Sequence, residues 1–326
     1  MQYAEVKGMP HPVSRMIFGC ASPAMRRGED AGEALDAAFE AGINAFDTAK
    51  DYQGSEGVLG RWVKSRGMRN KIILITKGAH PYNGMDRVTP KDVKEDITQS
   101  LEHLQTDRID LYFLHRDDPS AEVGPIVEAL HACREEGKIG LYGGSNWTAA
   151  RIAEANAYAA AHGLFPFAAS SPQFGLAVMV RDPWGGSGGC VGISAPEQGA
   201  ERAWYLAQGM PIFAYSSLGH GILSGKLKSA DWDRAGEILN RDAVYGYHAD
   251  INYGRLVRAE ELAAQKGCAV ADIAIAWLLH QKLRVFPIVT ASTPAHVERN
   301  TAALAVSLTD AECAYLALGA IGGDGE

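Results

Sequence analysis

Residues 46–56, FDTAKDYQGSE, set Asp47 and Tyr52 five positions apart immediately after a short apolar strand. Working outward, Lys77 ends the strand-like run IILITK (72–77) and His115 ends DLYFLH (110–115). An acid, a phenol, an amine and an imidazole thus lie at or just past the carboxyl ends of strands. A barrel brings such ends together at one face. The grouping points to proton chemistry at a carbonyl.

Eight short apolar runs recur along the chain: RMIF (15–18), NAFDT (44–48), IILITK, DLYFLH, IGLYGGS (139–145), FAASSPQ (167–173), PIFAYSS (211–217) and RVFPIVT (284–290). Between them lie stretches with helical spacing of apolar residues. GEDAGEALDAAFEAG carries Ala34, Leu35, Ala38 and Phe39 on one face and stops at Gly42. In TPKDVKEDITQSLEHLQ, Thr89 reads as an N-cap, Pro90 as the first helical residue, and Val93, Ile97, Leu101 and Leu104 as a stripe. Strands too apolar to be half exposed, each followed by a helix, predict a parallel sheet closed into a (β/α)8 TIM barrel over residues 1–326. The competing doubly wound sheet announces a dinucleotide site by GxGxxG after its first strand. Here that position reads GCASPAMRRG, so any cofactor must be held differently.

The 326 residues are 47% hydrophobic and 21% charged, ample for a buried core and unlike a disordered chain. A net charge of −8 offers no basic face for nucleic acid. No apolar run approaches the roughly 20 residues that span a bilayer, and MQYAEVKGMPHPVSR lacks a signal-peptide core, so no membrane partner and a cytoplasmic location are expected. The five cysteines are scattered without a CxxC pair, which predicts reduced thiols and neither disulfide nor zinc. Cys190, within GGSGGCVG, is the one best placed on a loop to react, although a structural role is the favoured reading for a lone cysteine. No metal site is predicted, because His115, Arg116, Asp117 and Asp118 are consecutive and alternate in direction.

A phenol with an ordinary pKa near 10 donates a proton sluggishly at neutral pH. Lys77 is the cation expected to lower that value, with Asp47 holding the ammonium and His115 orienting the substrate oxygen. In kind and order these four residues resemble the catalytic tetrad of the aldo-keto reductases, (β/α)8 oxidoreductases that use a nicotinamide cofactor without a Rossmann domain. The resemblance extends over nearly the whole chain. LYGGSN and SPQFG are similar to segments that hold the nicotinamide carboxamide, implying Ser145, Asn146 and Gln173. AYSSLGHGILSGK resembles the segment whose aromatic residue, here Tyr215, stacks on the ring while Ser216, Leu218, Gly219 and Lys226 wrap the pyrophosphate. VTASTPAHVERN resembles the adenosine clamp, implying Ser292, Thr293, His296, Arg299 and Asn300. Gly19 and Cys20, closing the first strand, complete the implied cofactor set. A helix beginning at Pro294 would offer free N–H groups to a phosphate. NADP(H) is favoured, with His296, Arg299 and Lys226 to receive its extra phosphate. NAD(H) stays open because Thr290 and His296 stand where the clamp commonly carries Lys or Arg.

His80 and Tyr82 of GAHPYNG, Arg116, Trp147 and Trp184 are the candidate substrate contacts. Two irregular stretches, 178–199 and 227–253, follow strand ends and are expected to wall the pocket. Polar groups at the mouth (His80, Arg116, Asp117, Asp118) favour a small carbonyl compound, sugar-like in character, interconverted with its alcohol through Tyr52 as general acid/base. Two other readings are a nicotinamide-binding sensor or accessory subunit, a role known among the β subunits of potassium channels in that family, and an enzyme that transiently oxidises a sugar with bound cofactor. Oligomeric state is not legible.

Overall fold

A computed structural model describes residues 1–185 and 189–318. Its centre is a closed parallel barrel of eight strands: β3 (Ile17–Gly19), β4 (Ala45–Asp47), β5 (Ile73–Gly78), β6 (Ile109–Leu114), β7 (Ile139–Ser145), β8 (Ala169–Ser171), β9 (Ile212–Ala214) and β10 (Val285–Thr290). They pair in chain order, and β10 closes on β3. The expected (β/α)8 barrel is therefore present, with strands shorter than several of the apolar runs that announce them. Preceding it is a hairpin that the sequence reading did not anticipate, β1 (Tyr3–Ala4) with β2 (Val13–Ser14). Its Val6 and Val13 pack under the barrel interior.

The period of two along each strand divides the core. Ile17, Ala45, Ile73, Ile75, Leu111, Phe113, Leu141, Ala169, Phe213 and Phe286 form one cluster, the barrel interior. Phe213 meets both Phe113 and Phe286, 5.7 and 5.1 Å between ring centres, although β6 and β9 are not neighbours. The alternate residues Phe18, Phe46, Leu74, Tyr112 and Tyr142 join the second cluster, packed with the helices. Continuing each inward series at the same period lands on Gly19, Asp47, Lys77, His115 and Tyr215 two residues on, and on Ser145 four residues after Leu141. One parity rule thus places six candidate residues around a single rim.

The helices follow their sequence signals. Helix Pro90–Leu104 starts at Thr89, whose hydroxyl accepts from the Asp92 N–H, and buries Val93, Ile97 and Leu104, with Leu101 half exposed at its margin. Helix Ala149–His162 is capped by Thr148 and ends at Gly163 in the left-handed conformation. Residues 227–253, expected to be irregular, instead fold into short helices at Ser229–Arg234, Ala235–Ile238 and Arg241–Tyr247. Asn240 caps the last of these by accepting from the Ala243 N–H, a signal present in the sequence. Of the stretch 178–199, residues 186–188 lie outside the described residues.

Candidate active site

Asp47 and Lys77 sit on adjacent strands and meet at the rim. The Lys77 ammonium donates to both carboxylate oxygens at 2.6 Å and to the Thr48 carbonyl at 3.0 Å. Both side chains are almost wholly buried. Burial lifts the Asp47 carboxyl above its ordinary range, against the pull of Lys77. For Lys77 burial acts downward and is the largest influence, but Asp47, together with Tyr52 and Cys20, outweighs it and the ammonium is retained.

Tyr52 stands on a single 3₁₀ turn, Lys50–Tyr52, directly after β4. The Lys77 nitrogen lies 5.5 Å from the centre of its ring. The expectation that Lys77 lowers the phenol pKa is corrected: burial raises it above 10, Lys77 only moderates the rise, and Asp47 adds to it. The cation's field is partly cancelled because its counter-ion sits beside it. His115 packs edge-on to Tyr52 and to His80, with ring centres 5.7 and 4.9 Å apart. Burial, then the Lys77 charge, holds it well below the ordinary histidine value, so the imidazole is neutral. Tyr52, Lys77, His115, Ser145, Asn146, Arg116, Trp184 and Tyr215 all line one cavity of about 210 Å³. A second cavity of about 390 Å³ adjoins it through His80 and Asp51 and reaches Tyr82.

Alongside runs a groove of about 600 Å³ lined by Gly19, Asp47, Tyr52, Tyr215, Ser216, Leu218, Gly221 and Thr290. A side chain on Gly19 would come within 2.9 Å of the Thr290 hydroxyl, so glycine keeps this end of the groove open. Ser216, Gly219 and His220 take left-handed backbone angles there. Thr293 caps helix Pro294–Ala302 just beyond Thr290 by accepting from the His296 N–H. A groove of this size beside a rim of polar groups, lined by Gly19, Ser216 and Thr290, has room for a dinucleotide.

Several expected contacts fall elsewhere. Gln173 is buried behind the wall, where its amide spans the Ala177 carbonyl and the Ser194 hydroxyl. Asn146 does face the cavity, but its oxygen accepts from Tyr215 at 2.6 Å and from the Val191 N–H at 3.1 Å. Cys20 points into the core. Lys226, Ser292, His296 and Arg299 are exposed and line neither groove nor cavity, while Asn300 donates to the Thr290 carbonyl. Trp147 is not a pocket wall: fully buried, it donates its indole N–H to the Arg116 carbonyl and packs on Phe167. Asp117 is turned away from the mouth, paired with Arg151 at 3.1 Å and lifted by burial to about 6. Asp118 accepts from Ser120. Cys190 is half-buried with its thiol pushed up to about 12 by burial, the reverse of an activated nucleophile.

Three contributors escaped the sequence reading. Arg26, which ends the short helix Pro23–Arg26 after β3, lies over the Tyr52 ring at 4.6 Å. His220 meets Trp184 in the groove wall, 4.9 Å between centres. Asp96 is buried on helix Pro90–Leu104, where it accepts from Lys50, from Arg87 at 2.7 Å and from the Ala79 N–H at 2.8 Å. It thereby ties the Tyr52 turn to the backbone that follows Lys77, at an alanine with a φ of 58°. The available signal for Arg26 was its position, since every loop leaving a barrel strand at this end borders the mouth.

A model of the Aldo/keto reductase family matches residues 15–317. The chain is 32% identical over 300 residues to norsolorinic acid reductase stcV of Emericella nidulans, covering 87% of this chain and 70% of that one. The chain belongs to the aldo/keto reductase family. Further relatives are a probable aryl-alcohol dehydrogenase, AAD4 of Saccharomyces cerevisiae (28% over 301 residues, 88% and 87% of the two chains), and aldo-keto reductase yakc [NADP(+)] of Schizosaccharomyces pombe (29% over 306 residues, 90% and 84%). As an aldo/keto reductase it is an NAD(P)H-dependent oxidoreductase.

Proposed function

We propose that this aldo/keto reductase interconverts a small carbonyl compound and its alcohol, with Tyr52 as the general acid in reduction and NADP(H) as the favoured cofactor. The observation that carries the reading is the convergence of the Tyr52 phenol, the Asp47–Lys77 pair and a neutral His115 on one cavity beside the groove. When bound, the nicotinamide supplies the hydride. Tyr52 holds the proton that the nascent alkoxide needs, and its raised pKa keeps the phenol protonated at neutral pH. Lys77 is the fixed charge that stabilises phenolate as the proton leaves, while Asp47 keeps that charge in a buried place. His115, being neutral, contributes a hydrogen-bond donor to the oxygen without competing as a cation.

For NADP(H), support comes from the name of the fission-yeast relative, aldo-keto reductase yakc [NADP(+)]. The sugar-like lean loses two of its supports, since Asp117 and Asp118 are engaged elsewhere. The test is loss of reduced-cofactor absorbance with NADPH and NADH against a panel of aliphatic and aryl aldehydes. Tyr52→Phe should still quench tryptophan fluorescence with NADPH and lose about 10²–10⁴-fold in rate. Undiminished turnover in that variant would remove the phenol from the mechanism.

A further inference from the structure

Resting on that reading, we infer that the substrate of the carbonyl cavity carries an oxyanion, a carboxylate or phosphate on a short spacer from the carbonyl, received by Arg116 and Arg26. Both arginines line the cavity that holds Tyr52, Lys77 and His115. Arg116 is only 4% exposed. Its guanidinium carbon lies 6.0 Å over the Trp184 ring, and that of Arg26 lies 4.6 Å over Tyr52. Among the described residues neither guanidinium makes a salt bridge or a side-chain hydrogen bond. Four other arginines at least partly withdrawn from water do have such a partner: Arg69 is held by Asp110, Arg87 by Asp96, Arg151 by Asp117, and Arg255 by the Leu176 carbonyl.

A guanidinium taken out of water without a partner is costly, and stacking on an aromatic face restores only part of that cost. The acids nearest in sequence do not supply a partner, because Asp117 binds Arg151 and Asp118 binds Ser120. Asp51, which also lines the cavity, stands 3.4 Å from His80 and is well exposed. The Asp47 carboxylate is spent on Lys77. An incoming carboxylate or phosphate matches the planar fork of Arg116 and completes it. The cofactor is the weaker candidate for that anion, since Arg116 does not line the groove and only Arg26 borders both spaces. The cavity's size, about 210 Å³, keeps carbonyl and anion close together.

The test compares matched aldehydes on the unmodified enzyme with NADPH: 4-carboxybenzaldehyde against its methyl ester, and glyceraldehyde 3-phosphate against glyceraldehyde. A charge-assisted contact predicts kcat/KM about 10–10²-fold higher for at least one anionic member of a pair, mostly through KM. The pair that shows the preference separates a carboxylate from a phosphate. Arg116→Met should bring that ratio down by about tenfold or more, and Arg116→Lys should recover part of it, with thermal melting confirming the fold of each variant. Esters and neutral aldehydes reduced as well as their anionic partners would overturn the inference while leaving carbonyl reduction standing. So would an Arg116→Met variant that weakens NADPH binding and leaves the ratio untouched. No turnover of any aldehyde would overturn both readings.

Discussion

Replacing Lys77 alone, and then together with its partner, separates what the buried pair does for catalysis from what it does for folding. The ammonium is 5.5 Å from the Tyr52 ring centre. At an effective dielectric of ~20, a unit charge at that range stabilises phenolate by roughly 3 kcal/mol, about two pKa units. Lys77→Met should therefore slow the proton-coupled reduction by up to about 10²-fold. It also strands Asp47, with both carboxylate oxygens stripped of their 2.6 Å partner in a buried site, which should cost about 3–5 kcal/mol of stability. Adding Asp47→Asn removes the stranded charge. Stability should return to within about 2 kcal/mol of the parent, since replacing a whole buried pair is far milder than breaking one. Activity should recover only in part, remaining roughly tenfold down, because Asp47 opposed Lys77 at Tyr52 and both influences are now gone. Urea unfolding reads the first quantity and single-turnover oxidation of NADPH at saturating aldehyde reads the second. A double variant with the parent's single-turnover rate would show that the pair is only structural and that the charge argument is wrong.

Other expectations follow from the same geometry. Because burial raises the Tyr52 pKa above 10, the phenol keeps its proton through neutral pH; carbonyl reduction should be level from about pH 6 to 9, whereas alcohol oxidation, which needs phenolate, should climb with pH. A reduction rate that falls with an apparent pKa near 7 would assign the acid to another group. Asp96→Asn should cost about 3 kcal/mol and lower kcat, since it loosens Lys50 before Tyr52 and Ala79 after Lys77 together; parent-like urea midpoints and kcat would show that this junction is idle. Asp117 has a folded pKa of about 6, above its unfolded value near 4, so the native state binds its proton more tightly and its contribution to stability declines as pH rises from about 4 to 6. Asp117→Asn should flatten that part of a melting-temperature profile, and an unchanged slope would refute the assignment.

The parity of the strands explains why so much of the rim was readable. Lys77 follows Ile73 and Ile75, and His115 follows Leu111 and Phe113, at intervals of two, so a linear pattern already assigns both to the inward set. Resemblance added Asn146, whose hydrogen bond with Tyr215 no spacing rule contains. It also implied Gln173 and Cys20, which the packing turns away from the cavity. The stretch 227–253 was misjudged because its apolar spacing is weak, although Asn240 carries an ordinary capping signal. Arg26, in the pair Arg26–Arg27, and Asp96, in the run Lys94–Asp96, read as surface charge along the sequence, because only the packed neighbours reveal that they face inward.

Alternation of apolar strands with helices, the identities and order of Asp47, Tyr52, Lys77 and His115, and the absence of a glycine fingerprint after the first strand are properties of the linear chain. They determine a parallel barrel and the side of it on which chemistry is expected, because strand period and helix period are local consequences of backbone geometry. Which charges end up paired is not local. Packing of neighbouring strands and helices lets Asp47 meet Lys77 and sends Asp117 to Arg151, while Arg116 is buried facing the cavity with no counter-ion among the described residues. Desolvation and distance decide those outcomes, and both come into being only when residues remote along the chain are packed together.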